Sequence, residues 1–368
     1  LGRGGAGFPV GRKWQTLAER HDRRPAVVIA NGAEGEPWSW KDRVLMAHRP
    51  HLVIDGALLA AAAVKADEVV LYVGTEHVDA IAAIRRALVE RGDELPADPD
   101  PVIRVVPAPT RYVAGEASAA ARAINDGDAR PVTTPPRVSE RGVAGRPTLV
   151  QNVESLANAA LIARLGAAWY REAGRLGTPG TALITVTGAV ARPGVREIEL
   201  GTTIREAAEA AGADPDAQAV MLGGYFGTWV RAREAWDLPL DPALLKAVGL
   251  TFGCGIVALL PSGACGVEAT AQILGWMADE SAGQCGPCVL GLGAIRAAAE
   301  RLAGLAGNQE DLDDLDRWAG LVTGRGACHH PDGAAQLLTS ARRVFSDEFR
   351  RHADAGTCSA GEGRRDVA

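Results

Sequence analysis

A chain of 368 residues is too long for one ordinary core and predicts two or three domains. Its 47% hydrophobic content is that of a globular protein, and a net charge of −6 argues against a nucleic-acid partner, which needs a basic face. The longest wholly apolar run, 57–64, is far too short for a transmembrane segment, no secretory head opens the chain, and six cysteines are too sparse for a disulfide scaffold; a cytoplasmic protein with thiols available for metals is expected.

The chain opens at Leu1 directly inside a motif, so its true start is expected upstream. Residues 2–11, Gly2-Arg3-Gly4-Gly5-Ala6-Gly7-Phe8-Pro9-Val10-Gly11, hold five glycines in ten positions, and glycine lets backbone amides approach and cradle a phosphate. Gly2, Gly4 and Gly7 satisfy G-x-G-x-x-G, but no strand precedes them and Pro9 follows, so the dinucleotide fingerprint is weak and a flexible loop is the plain alternative. Lys13 suits a phosphate or a flavin edge.

A short apolar strand follows at 26–30, and straight after it comes Asn31-Gly32-Ala33-Glu34-Gly35-Glu36-Pro37. An amide and two carboxylates in a strand-end loop are placed to hydrogen-bond a ring or a ribose, although acidic loops are commonly only solvated. Helix is predicted over 50–65, strand over 68–74, helix over 78–90, strand over 102–106 and helix over 116–124. This alternation implies a three-layer α/β domain with a largely parallel sheet, whose ligands bind in the loops after the strands. Tyr112-Val113-Ala114-Gly115-Glu116 is a second such loop. The Pro-rich stretch 130–136 breaks the pattern, and the segment from Gly145 to Glu154 opens one long helix over 152–174, whose N-terminus favours anions. Three loops at one sheet edge point to a pocket more strongly than any one alone.

A second unit begins near Gly177, with β-rich 181–190, alternating 194–200, a helix capped by Thr203 and running to Ala211, and apolar stretches 217–222 and 256–260. These elements predict a small α+β module of the β-grasp kind. After Val267 the pattern is helical over 267–279, 287–304, 310–322 and 332–352, a terminal four-helix unit. The expected domains are 1–175, 176–262 and 263–352, with a disordered tail at 353–368.

Cys285-Gly286-Pro287-Cys288, with Cys328 forty residues further on, is the densest chemistry in the chain. The four letters are those of the thioredoxin dithiol, but that motif follows a strand, and here the preceding residues predict helix. A zinc site of Cys285, Cys288, Cys328 and His329 has acceptable ligand chemistry. A C-x2-C pair, a distant third thiol and a neighbouring proline also suit iron–sulfur ligation, where a four-iron cluster takes four thiolates and three are offered. Cys254 and Cys265 read as buried small residues, and Cys358 in the tail is a spare ligand.

Taken together, these segments resemble the F-subunit family, the flavin-bearing NADH-dehydrogenase component of respiratory complex I, with its soluble hydrogenase and formate-dehydrogenase relatives. The resemblance runs through Gly2 to Trp14, Asn31 to Arg43, Tyr112 to Glu116, Gly145 to Asn158, the cysteine helix and Cys328. It implies a Rossmann-like FMN-binding domain, a soluble-ligand-binding β-grasp domain and a helical iron–sulfur domain. It also implies FMN held by the glycine loop (Gly2 to Gly7), Lys13, Asn31, Gly115, Glu116 and Asn152, with Glu34 and Tyr112 beside them and Glu36 and Phe8 where the nicotinamide dinucleotide binds. Hydride would pass from NAD(P)H to FMN and single electrons to an iron–sulfur cluster on Cys285, Cys288 and Cys328, then to an acceptor protein or neighbouring subunit. The cluster is 4Fe-4S in the family, and a 3Fe-4S cluster suits three cysteines.

The departures from the family are as informative. Its first cluster cysteine is Ala282 here, the aspartate of its N-A-D-E-G-E-P motif is Ala33, and the second glutamate of its G-E-E motif is Ala117. The residues flanking its paired prolines are Thr134 and Arg137, and an aromatic after the glycine loop is Thr16. The flavin cradle is thus mostly kept while the nicotinamide side is altered. Two readings follow: use of another donor, such as NADPH with Arg137 meeting its 2′-phosphate or a protein, or a partner subunit that keeps the fold and has lost NADH oxidation.

Overall fold

The computed structural model describes residues 1–92, 101–175 and 177–360. Two compact units emerge, 1–183 and 184–368, with the boundary inside the fifth strand.

The first unit runs α1 (Val10–Ala18), β1 (Ala26–Gly32), α2 (Lys41–His48), α3 (Pro50–Val64), β2 (Ala66–Gly74), α4 (Val78–Glu90), β3 (Val102–Ala108), α5 (Ala117–Asp126), β4 (Thr148–Asn152), α6 (Val153–Leu165) and α7 (Ala167–Glu172). Its strands form one parallel sheet in the order β3-β2-β1-β4. Both faces of β1 are buried, as a parallel strand covered on two sides requires. Val28 and Ala30 face a core shared with Leu17, Val53, Ala57 and Leu156, whereas Val27 and Ile29 face one shared with Tyr72, Ala120 and Val150. Each large aliphatic side chain so buried contributes about 1.5–3 kcal/mol.

The chain leaves β1 toward β2 and β3 on one side and returns with β4 on the other, so the order reverses between β1 and β4. Crevices at such reversals, beyond the carboxyl ends of the strands, are where open α/β sheets bind ligands. Asn31 of β1 and Asn152 of β4 are direct register partners at that point.

The second unit holds β5 (Thr181–Gly188), β6 (Gly194–Glu199), α8 (Ile204–Ala210), β7 (Ala219–Leu222), β8 (Thr228–Arg231), α9 (Ala232–Ala235), α10 (Pro242–Ala247) and β9 (Ile256–Leu260). These strands make a mixed sheet in the order β6-β5-β9-β7-β8, with β5 parallel and β7 antiparallel to β9. Thr203 caps α8 through a full capping box with Glu206. The helical part follows: α11 (Gly266–Asp279), a π-helical turn (Pro287–Leu292), α12 (Gly293–Ala303), α13 (Gln309–Val322), α14 (His330–Val344) and α15 (Ser346–Ala355). The sheet and these helices share a core: Trp229 of β8 meets Phe345 edge-on at 5.4 Å, and its amide donates to Ser340 of α14.

Several expected elements differ. The long helix over 152–174 is instead the end of β4, then α6 and α7 parted at Gly166. The helix over 332–352 is two, parted at Phe345, and 287–304 opens with the π-helical turn. Of the tail expected to be disordered, α15 continues to Ala355 and Ser359 bonds back to Glu348; residues 361–368 lie outside the described residues. No described helix is long and apolar enough to cross a membrane.

Candidate functional site

The loop after β1 is built by hydrogen bonds that start the next helix. Glu34, 7% exposed, accepts from the backbone N–H groups of Asp42 and Arg43, from the Arg43 guanidinium and from the Ser39 hydroxyl. Its carboxylate therefore sits at the positive N-terminal end of α2, where a negative group is stabilised. Asn31 holds the strand end to the loop after β3: its Nδ2 donates to the Gly115 carbonyl at 2.8 Å and its Oδ1 accepts from the Ala33 N–H at 3.2 Å.

These two loops touch backbone to backbone. A Cβ on Gly35 would lie 2.8 Å from the Arg111 carbonyl oxygen, and one on Gly115 would lie 2.7 Å from that of Ala33, so neither position accepts a side chain. Across the same seam the Tyr112 hydroxyl donates to the Glu36 carboxylate at 2.9 Å. Glu116 caps α5 by accepting from the N–H groups of Ser118 and Ala119.

At the end of β4, Asn152 caps α6 through the Glu154 N–H at 3.0 Å while its Nδ2 donates to Asp42 at 2.7 Å. The glycine loop lies directly over it: the Cβ position of Gly4 is 3.4 Å from the Asn152 Cβ. Gly2 donates to the Phe8 carbonyl and Gly7 to that of Gly4, which closes the loop with Gly5 and Ala6 exposed at its tip and Phe8 57% exposed beside it. The Lys13 ammonium, on α1, donates to the Val150 carbonyl of β4, and burial pushes its pKa below the usual lysine value. Arg3 turns away from the loop tip. Its guanidinium donates to the Thr181 carbonyl at 2.7 Å and lies 3.6 Å from Glu154, so it anchors the loop from within.

Sequence patterning misses the charges beneath this edge. Lys41, 3% exposed, pairs with Asp42 at 2.6 Å and Glu154 at 2.9 Å. Burial alone would lower the Lys41 ammonium, but Asp42, Glu154 and Glu34 together outweigh it and hold the charge in place. Burial drives Asp42 above the usual carboxylate range, against Lys41 and with Glu34 and Glu154 adding to the rise. Three cations (Arg3, Lys41, Arg43) thus face three carboxyl groups (Glu34, Asp42, Glu154). The available signal is Lys41-Asp42-Arg43, three charges in a row beginning a buried helix. His77, in the loop after β2, is also missed; burial first, then Arg43, lowers its pKa despite Glu76 and Glu34.

In the second unit, Cys285 and Cys288 flank the start of the π-helical turn, and Cys328 precedes α14. Burial, then the neighbouring Cys285 and Cys328, pushes the Cys288 thiol up to about 12. Cys285 and Cys328 therefore both lie near the Cys288 thiol. A helix, α11, precedes the pair, so the strand-then-helix setting of a thioredoxin dithiol is missing. His329 is turned to solvent, its side chain 92% exposed and paired with Asp332, which removes it from a zinc set with the three cysteines. Ala282, 8% exposed, adds no donor. Cys358, expected as a spare ligand to that set, lies instead with Cys265, Glu348 and His352.

Residues 1–161 match the family described as the Nuo51 FMN-binding domain, 183–224 the SLBB domain, and 268–352 the NADH-ubiquinone oxidoreductase-F iron-sulfur binding region. The NADH-quinone oxidoreductase F-subunit of Salmonella typhimurium is 33% identical across 95% of this chain and 81% of its own length. This chain belongs to the F-subunit family of NADH-quinone oxidoreductases. A Rhizobium meliloti member, F-subunit 2, is 30% identical across 97% of this chain and 87% of its own length. Among solved structures, an NAD+-reducing NiFe hydrogenase in the H2-reduced state superposes with a TM-score of 0.89 at 30% identity. The match covers 96% of this chain and 61% of that one, so this chain spans under two thirds of the hydrogenase chain. The family carries an FMN-binding region and an iron–sulfur region, and both are present here.

Proposed function

We propose that this chain is an electron-transfer oxidoreductase subunit that takes hydride from NAD(P)H at FMN in its first unit and hands single electrons, through an iron–sulfur cluster in its second, to a partner protein. The reading rests above all on one observation: the glycine loop lies over Asn152, the helix cap at the point where the sheet order reverses. The donor set there fits a flavin phosphate and ring, with a loop tip carrying no large side chains, the Lys13 ammonium and the N-terminus of α6. Bound FMN supplies the step from two-electron to one-electron chemistry.

Gly2, Gly4, Gly5, Ala6 and Gly7 would cradle the phosphate, with Arg3 holding the loop and Lys13 placing a cation beside it. Asn31, Gly115, Glu116 and Asn152 would frame the ring, while Glu34 keeps the α2 end of the frame in place. Glu36, oriented by Tyr112, and the exposed ring of Phe8 would receive the dinucleotide. Cys285, Cys288 and Cys328 fit a cluster held by three thiolates, such as 3Fe-4S, and do not fit one that takes four from this set. Ligation there would release the Cys288 proton. The proposed division is 1–175 for the flavin, 176–262 for the β-grasp module, 263–352 for the cluster and 353–368 as the tail, in a cytoplasmic protein docked to other subunits.

Ala33, Ala117, Thr134 and Arg137 favour a second reading, a partner subunit that keeps the fold, with or without FMN, and does not oxidise NADH. One experiment separates the two. Purified anaerobically, the protein should be yellow, bleach with NADH or NADPH, and carry iron and sulfide with an EPR signal of a three-iron cluster when oxidised. Bound flavin that neither nucleotide reduces, without iron, would select the second reading, and protein without flavin or iron would remove the first.

A further inference from the structure

A second group of metal-binding side chains lies in the helical part, separate from the Cys285, Cys288 and Cys328 set and independent of the flavin reading. Among the described residues it is the group of three or more Cys, His, Asp or Glu side chains whose ligand atoms, one from each, all fall within 4.8 Å of one another: Cys265, Glu348, His352 and Cys358. Cys265 caps the N-terminus of α11. Glu348 and His352 are four apart on α15 and so share one face. After α15 ends, Gly356 adopts a left-handed conformation at φ +56° and turns the chain back, which brings Cys358 to the group.

The imidazole is set up for a metal. His352 is fully buried, and its Nδ1 lies 2.9 Å from the Leu302 carbonyl. A carbonyl only accepts, so Nδ1 carries a proton and Nε2 is the ring nitrogen left for the group. Nε2 faces a Glu348 oxygen at 3.2 Å and the Cys265 sulfur at 3.5 Å. A ring nitrogen, a carboxylate oxygen and two sulfurs meet there, with Cys265 and His352 buried and Glu348 and Cys358 half-buried, and such a set is held together either by shared protons or by a cation. A histidine that donates one ring N–H to a backbone carbonyl while offering the other nitrogen is the usual arrangement at a metal. The carboxylate is steadied too, by the Ser359 N–H at 2.7 Å and the Ser359 hydroxyl.

We infer that Cys265, Glu348, His352 and Cys358 form a structural zinc site. Two thiolates exclude calcium and magnesium, which take oxygen ligands, and two sulfurs, a nitrogen and an oxygen suit tetrahedral zinc. Zinc–sulfur bonds of about 2.3 Å and zinc–nitrogen bonds of about 2.0 Å place ligand atoms roughly 3.3–3.8 Å apart, a modest contraction of the observed group. Four protein ligands leave no open position, so the ion is a fastener and not a catalyst. It ties the far end of α15 and the segment behind it to the residue that caps α11, the helix that leads into the Cys285 loop.

The test is metal analysis of this chain purified anaerobically with reductant, beside two variants. The wild type should hold one zinc ion per chain, and cobalt exchanged into it should give the intense thiolate-to-metal absorption of a tetrahedral site. Cys358→Ser lies outside the helices and spares the packing; it should lose zinc affinity roughly tenfold or more while keeping its iron. The triple variant Cys285→Ser, Cys288→Ser, Cys328→Ser should lose iron and keep its zinc. Zinc-free wild type, zinc that disappears with the triple variant but not with Cys358→Ser, or a Cys265–Cys358 disulfide in the reduced preparation would each overturn the assignment.

Discussion

The sheet edge of the first unit and the thiol group of the second differ in how their sites are made. At the sheet edge the proposed ligand positions come from backbone: two loops in direct contact, a glycine turn, and a helix cap tied to a buried ion network. At the thiol group each donor is one sulfur atom on one side chain, and replacing Ala282 with any ligand or removing any cysteine changes the site outright. A backbone site degrades by degrees, whereas a side-chain site changes by whole ligands.

The largest effect should come from the thiols. Cys288→Ser should abolish cluster binding and leave flavin content unchanged, read as iron, sulfide and flavin per chain; loss of flavin together with iron would break the comparison. Ala282→Cys should move the oxidised protein from a three-iron EPR signal to the silent oxidised state of a four-iron cluster.

Next in size is the ion network. Lys41→Met leaves Asp42 and Glu154 buried without their cation and should cost about 3–5 kcal/mol of unfolding free energy by denaturant titration. A cost under about 1 kcal/mol would show the network to be no more than a surface pair. Asn152→Ala removes one helix cap and the Asp42 partner, and should cost about 1–2 kcal/mol and weaken flavin retention without abolishing it.

The smallest effect concerns His77. Burial and Arg43 lower its folded-state pKa despite Glu76 and Glu34, so the unfolded chain binds the extra proton first. Its contribution to stability is therefore full above the unfolded value of about 6.5 and declines as pH falls below it. His77→Asn should flatten that part of the melting-temperature profile; an unchanged slope would assign it to other groups.

Much of this organisation is legible in the sequence, and the failures share physical causes. The strand at 256–260 and the Thr203 cap are plain because an apolar run and a capping pair are local signals. The fourth strand is hidden: Leu149 and Val150 are its buried aliphatics, too few to show a period, and the helix pattern of α6 begins immediately after. Two helices merge across Phe345, whose apolar side chain continues the periodicity that the backbone abandons. The Lys41 network joins residues far apart in the chain, Lys41 to Glu154, and Cys265 meets Cys358 only because α15 ends where it does. Such pairings belong to the fold and leave no local trace. The family motifs mark the edge loops correctly as neighbours, since Asn31, Tyr112, Gly115 and Asn152 all end parallel strands or begin the segments after them.

Glu34, Glu116 and Asn152 each begin a helix as well as border the crevice. Replacing any of them weakens the fold before it touches a ligand. Ala33 and Ala117 carry only methyl groups against the core, and Thr134 and Arg137 sit exposed on a loop. Those positions are free to vary at little structural cost. If those four positions face the electron donor, as proposed, a change of donor requires no new scaffold.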